Sequence, residues 1–195
     1  MITRSRIGKR WATVIVTLVV VASVIALYVV PVMITGRASV STPELLVPSA
    51  GDGGHASVWE VVRDNEEPKL GHFHANSGFE RVWDRDGSRD TGRLIQAAHV
   101  YDGPLRADLQ YALSNPRLHG YPTYNTIDAG DGLGADRSVV ACVGGGDSSG
   151  CGSWLYWARY GQYIVLLRLI EVGITGDEFL SLVDVVDEHI AGVLS

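Results

Sequence analysis

The chain has 195 residues, 46% of them hydrophobic, with two cysteines and a formal charge of −6. The imbalance is uneven: beyond Arg37, eleven basic residues accompany all twenty-two acids, a formal charge of −11 that disfavours nucleic acid and anionic lipid headgroups as partners of this part. Its 158 residues suffice for one domain with its own core and are too few for two.

No residue from Trp11 to Gly36 is charged, and this apolar run of 26 exceeds the roughly 20 residues that cross a bilayer as a helix. It is longer than the hydrophobic region of a cleavable signal, about 7 to 15 residues, so an uncleaved signal-anchor is expected. No cysteine precedes Cys142, which excludes a lipid-modified cysteine just after the run. Arg4, Arg6, Lys9 and Arg10 lie before the run and only Arg37 follows closely, which orients the N-terminus to the cytoplasm. The expected organisation is a cytoplasmic segment 1–10, a transmembrane helix 11–36, a linker 37–55 and an extracytoplasmic domain 56–195. The linker reading follows from the Ser, Thr, Pro and Gly of ASVSTPELLVPSAGDGGH, interrupted only by the apolar patch Leu45-Leu46-Val47.

Within the domain, Val58, Val61 and Val62 with Trp59 predict a short amphipathic helix over 56–64. Alternation over 79–84, turn chemistry at Arg85-Asp86-Gly87 and a second run over 93–101 predict a hairpin. Gly103-Pro104 opens a helix whose apolar stripe is Leu105, Leu109, Ala112 and Leu113, closed by Pro116, and residues 115–136 read as loop. Three antiparallel strands follow, over 138–143, 154–160 and 162–172. The last is apolar on both alternating sets apart from Arg168 and Glu171, as in a central strand covered on both faces. Thr175-Gly176-Asp177-Glu178 is a capping box, and Phe179, Leu182, Val183, Val186, Ile190 and Val193 form the stripe of the helix it starts. The fold class is therefore α+β: an N-terminal transmembrane helix, then one domain with an antiparallel β-sheet and helices packed mainly on one face.

The segment CVGGGDSSGC, Cys142 to Cys151, contains both G-x-S-x-G and G-D-S strings around Ser148. A nucleophile elbow requires a helix after the serine, and here a strand follows. Ala97-Ala98-His99 resembles the A-A-H of trypsin-like enzymes, but those fold as two β-barrels, with the histidine in one and the serine in the other; 49 positions separate His99 from Ser148 here. A disulfide clip between Cys142 and Cys151 is the favoured reading, with no catalytic residue assigned. Closing such a loop stabilises by roughly 2.5 to 3 kcal/mol in the chain-entropy model.

His72 and His74 share one side of any strand and are weak metal candidates. A third ligand from His99, His119 or Glu80 is not implied by the sequence. Asp128, Asp131 and Asp136 have the composition of a calcium loop at the wrong offsets, with Val139 where the bidentate Glu belongs. No metal and no other cofactor are expected. Trp154, Tyr156, Trp157, Tyr160 and Tyr163 pack best beneath the terminal helix; Trp154, Tyr156, Trp157 and Tyr160 are the candidates for a ligand surface.

The run CGSWLYWARYGQY from Cys151 to Tyr163, followed by an apolar strand and a helix beginning near Phe179, resembles the C-terminal part of uncharacterised single-span membrane proteins of actinobacteria. The arrangement also resembles, more loosely, extracytoplasmic sensor-like domains of actinobacterial receptor kinases and lipoproteins. The likeness covers about a quarter of the chain and implies an exported, non-catalytic α+β module. The leading expectation is a membrane-tethered extracytoplasmic binding or accessory domain with an unknown protein or small-molecule partner. The alternative is an exported hydrolase, metal-dependent through His72 and His74 or serine-based through Ser148 and His99.

Overall fold

The computed structural model describes residues 4–25, 39–48, 59–66, 75–114, 124–127, 132–143, 151–170 and 174–195. Helix α1 spans Arg4–Val24. It covers the first part of the uncharged run, and residues 26–38 lie outside the described residues. No helix among the described residues is long and apolar enough to cross a membrane.

The domain is built on one antiparallel sheet of seven strands. In chain order these are β1 (Trp59–Glu66), β2 (Ser77–Arg85), β3 (Ser88–Val100), β4 (Tyr124–Ile127), β5 (Arg137–Val143), β6 (Ser153–Tyr160) and β7 (Tyr163–Ile170). Helix α2 (Pro104–Leu113) separates β3 from β4, and α3 (Gly176–Val193) ends the chain. The spatial order β1-β2-β3-β7-β6-β5-β4 places β7 at the centre, so its nearly continuous apolar sequence is covered on both faces. Asp86 and Gly87 take positive φ at the β2–β3 turn, where the sequence places Asp-Gly.

One face of the sheet is covered by α3. Trp83, Tyr156, Tyr160, Tyr163, Val165, Leu167 and Leu169 form the main core with Phe179, Leu182, Val183, Val186 and Ile190 of α3. The capping box is present: the Thr175 hydroxyl accepts from Glu178 N, and Thr175 N donates to the Glu178 carboxylate. Val193, the last member of the expected stripe, is only partly buried against this core.

The segment expected to be a linker supplies part of the same core. A single 3-10 turn at Thr42–Leu45 leads into Leu45, Leu46 and Val47, which are 0%, 3% and 4% exposed. The Gln96 amide fixes this segment by donating to Leu45 O at 3.1 Å and accepting from Val47 N at 3.0 Å. The linker reading 37–55 is corrected to that extent: the domain's packed chain begins by Val40, ahead of residue 56. An apolar triplet beside Pro48 reads as loop because its partner, Gln96, is half a sheet away in sequence.

Four further expectations change. The helix expected over 56–64 is strand β1, an edge strand whose register shifts between Val61 and Arg63. That irregularity breaks the period of two and leaves adjacent valines that imitate helical spacing. The loop expected over 115–136 contains β4, a short edge strand paired to β5. The helices do not share a face: Ala107 and Tyr111 of α2 pack with Ile164 and Trp157, on the side of the sheet opposite α3. The expected stripe of α2 is also inverted. Leu105, Leu109 and Leu113 are 36%, 58% and 53% exposed, while Ala107, Asp108 and Tyr111 face inward.

Candidate functional site

Period-two alternation sorts β6 into two sets. Trp154, Tyr156 and Tyr160 point to the α3 side and are buried, and the Trp154 ring stacks on Phe179 at 5.7 Å. These three of the four candidate surface residues are core, which corrects the ligand-surface expectation for them. The terminal helix needs a large apolar counterface, and the aromatics provide it. The Tyr160 hydroxyl donates to Asp187 Oδ1 at 2.7 Å and accepts from the Tyr156 hydroxyl at 2.7 Å, which leaves Tyr156 3.3 Å from the same carboxylate oxygen. Asp187 also accepts from Gly134 N at 2.6 Å and Ala135 N at 3.2 Å. Burial pushes both phenols well above their usual range, so they remain neutral donors.

The other set, Leu155, Trp157 and Arg159, lies on the α2 side. Register carries it across the sheet: Arg159 pairs with Ile164 of β7 and Arg137 of β5, and Trp157 pairs with Leu166 and Val139. Tyr111 of α2 stacks on Trp157, with centroids 6.4 Å apart, and its hydroxyl donates to Trp157 O at 3.4 Å. The Arg137 guanidinium lies 4.9 Å from the Tyr111 ring centroid, a cation–π distance. Beneath α2, Asp108 is buried against two arginines. Arg137 donates to it at 3.1 Å, and the buried Arg159 Nε lies 3.3 Å away. Arg159 also donates to Gly161 O at 3.1 Å and sits 3.6 Å from Asp136.

Beyond α2 the same face continues as an apolar floor of Ala97, Ala141, Val143, Leu155 and Leu166. Trp157 is half-buried between this floor and α2, and its indole Nε1 is buried with no acceptor among the described residues. Polar side chains edge the floor: Glu80, held by Arg63 at 2.7 Å, and Asp84, held by Arg93 at 2.7 and 2.8 Å. This is a surface with an aromatic wall, an apolar floor, a free indole donor and an ionic rim. Such a surface can hold a partly apolar ligand bearing one acceptor. Among the described residues it contains no nucleophile–base pair.

His99 lies on this face of β3, paired with Gly78 and Ile164, and it is buried. Burial pushes its imidazole down from 6.5 to about 4, so it is neutral near pH 7. The unfolded chain takes up this proton near 6.5 while the native state resists until about 4. Stability should therefore fall as pH drops through that window, by at most about 3 kcal/mol, and level off below it. Urea midpoints measured across the window should show this slope, and His99→Gln should flatten it.

His99 shares a register row with Ile164, Arg159 and Arg137, whereas Cys142 lies toward the opposite end of β5. The strand ends that bracket residues 143–150 are thus roughly 17 Å along and about 14 Å across the sheet from His99. Ser148, His72, His74, His119, Asp128 and Asp131 lie outside the described residues. Glu80 is engaged by Arg63, and Asp136 by Arg159. Among the described residues no group of three His, Cys, Asp or Glu is placed to hold a metal ion. Cys142 and Cys151 form a disulfide with Cα atoms 5.5 Å apart. Asp108, Tyr111, Arg137 and Arg159 escaped the sequence reading. Alternation from Trp157 would have found Arg159, but nothing local marks the others.

Neither a scan against protein-family models nor a search of curated proteins finds a match to the chain. Among solved structures, the chain is similar to the extracellular domain of PknH from Mycobacterium tuberculosis, at 11% sequence identity and a TM-score of 0.52. The match covers 79% of this chain and 98% of that one. At that identity the likeness shows the fold alone, an α+β domain.

Proposed function

We propose that this chain is a membrane-tethered extracytoplasmic domain that binds a ligand or partner and catalyses nothing. In this reading residues 11–36 anchor it, residues 1–10 are cytoplasmic, and the ligand lies on the α2-side floor against Trp157. The observation that carries the reading is the fold shared with an extracellular domain, in a chain whose two cysteines are joined. Disulfides persist in oxidising compartments, which agrees with export. The half-buried Trp157 ring beside an apolar floor supports the choice of surface, because ligand sites pair an aromatic or apolar lining with a few polar groups at the edge. Hydrolase chemistry through Ser148 and His99, or through His72 and His74, draws no support from the described residues.

Fusions after Ser195 test the placement. Alkaline phosphatase should be active there and a cytoplasmic reporter silent. In the exported protein, mass mapping should recover Cys142 linked to Cys151, and reductant should lower the melt by up to the roughly 2.5 to 3 kcal/mol of loop closure. An inactive phosphatase with a working cytoplasmic reporter, or two free thiols in exported protein, would refute the placement.

A further inference from the structure

The way the chain enters the domain limits how far the domain stands from its anchor. Val40 is fixed at both backbone groups by one side chain: Val40 N donates to the Tyr163 hydroxyl at 2.8 Å, and that hydroxyl donates to Val40 O at 2.9 Å. Gly36 ends the uncharged run, so only residues 37–39 lie between the run and this clamp. Four peptide steps span at most about 14 Å. Because about 20 residues suffice to span, the run can leave the hydrocarbon up to about six residues before Gly36, so the tether reaches about 35 Å at most and keeps the clamped end within about one domain's breadth of the bilayer surface.

That end is defined by the sheet. Tyr163 begins β7, Tyr160 ends β6 beside it, and Val100 ends β3 on the other side. Helix α2 starts four residues after Val100 and contacts in turn Ile164 of β7, Trp157 and Arg159 of β6, and Arg137 of β5. It therefore crosses the strands along the anchored end. Its length, about 15 Å for ten residues, matches three strand spacings of about 4.8 Å. Inward it presents Ala107, Asp108 and Tyr111. Outward it presents Leu105, Leu109 and Leu113 on successive turns, with Ala112 also exposed. Arg106 and Arg137 flank the stripe, about half exposed and each paired to an aspartate, so the local charge is balanced although the domain as a whole is acidic.

We propose that α2 docks its Leu105, Leu109 and Leu113 stripe on the outer leaflet of the membrane in which the chain is anchored, with the domain leaning toward its α2 side. The proposal rests on the anchor reading above. An amphipathic helix parallel to the surface inserts its apolar face at the headgroup boundary, and flanking arginines reach the phosphates. The neutral local charge fits zwitterionic lipid and needs no anionic headgroup. Docking would fix the orientation of the Trp157 floor relative to the membrane.

The test uses the full chain in vesicles of phosphatidylcholine and phosphatidylethanolamine, with its disulfide intact and a nitrobenzoxadiazole label on Leu109→Cys. A label on Ser181→Cys, exposed on α3 across the sheet, is the control. Lipids brominated in the acyl chains should quench the label at position 109 and leave the one at 181 unchanged. Adding Leu105→Ser and Leu113→Ser, both at exposed positions, should abolish the quenching. Flotation with the vesicles reports the anchor separately. A chain that floats while position 109 stays unquenched overturns the docking alone, and a chain that does not float overturns the anchor and the docking with it. Disulfide cross-linking between unlabelled Leu109→Cys copies, with no quenching, would identify a second copy as the occupant and also overturn the proposal.

Discussion

Asp187→Ala is expected to lower the unfolding free energy by about 3–5 kcal/mol, because it removes an acceptor from several buried donors together. The carboxylate accepts from Tyr160 on β6, whose hydroxyl is bonded to that of Tyr156, and from Gly134 N and Ala135 N in the segment before β5. It thereby joins the terminal helix to the sheet and to that segment. Gly134 comes so near the helix that a Cβ there would lie 2.9 Å from Ala191 Cβ, so this backbone cannot retreat to find another acceptor without giving up the packing. Asp187→Asn should cost less, since one oxygen still accepts while the amide opposes one backbone N–H. Tyr160→Phe should cost less again. Denaturant melts of residues 38–195 would rank the three. A loss below about 1 kcal/mol for the alanine variant would mean that the network is not what fixes α3.

Asp108→Ala should cost a similar 3–5 kcal/mol, through a different cause: it leaves the guanidinium of Arg159 buried with its main counter-charge removed. Among the described residues Arg159 keeps Gly161 O and the more distant Asp136 carboxylate. Arg137, about half exposed, can turn to water, so Arg137→Ala should cost 1 kcal/mol or less, roughly the value of a surface ion pair plus its cation–π contact. Replacing both members of the buried pair, Asp108→Leu with Arg159→Met, should recover much of the loss, since a well-packed apolar pair avoids both desolvation costs. A double-mutant cycle on melts reads this directly. A double variant no more stable than Asp108→Ala would show that α2 is held by something other than this pair.

Much of this domain could be read from short-range pattern. The Asp-Gly turn between β2 and β3, the capping box of Thr175 and Glu178, the stripe from Phe179 to Ile190 and the pairing of Cys142 with Cys151 all involve neighbours in sequence or consecutive strands, and the two apolar sets of β7 mark it as central although its partner β3 lies far back in the chain. Their signals are local, so residue spacing alone carries them. The α3-side burial of Trp154, Tyr156, Tyr160 and Tyr163 was legible from a terminal helix in need of a counterface, whereas Trp157, expected beneath the same helix, lies on the α2 side.

Burial decided at long range was not legible. Sequence by itself determined that residues 104–113 form a helix, through Pro104 and the spacing of its leucines, but not which side of it faces the sheet. The side with three leucines lost to the side with Asp108 and Tyr111, because the sheet offered Arg159, Arg137 and Trp157 at the point where the helix crosses. Those partners come from strands some thirty to fifty residues later, and their arrangement exists only once β5, β6 and β7 are in register. The same reason put Leu45 to Val47 in the core beneath Gln96, and made a strand of β1 despite its helical spacing. Local periodicity fixes what an element is where a clean period runs its length, as in α2 and α3, and fails at the bulged edge strand β1; which face is buried depends on the chemistry of the surface an element meets, and that surface is assembled by the tertiary fold.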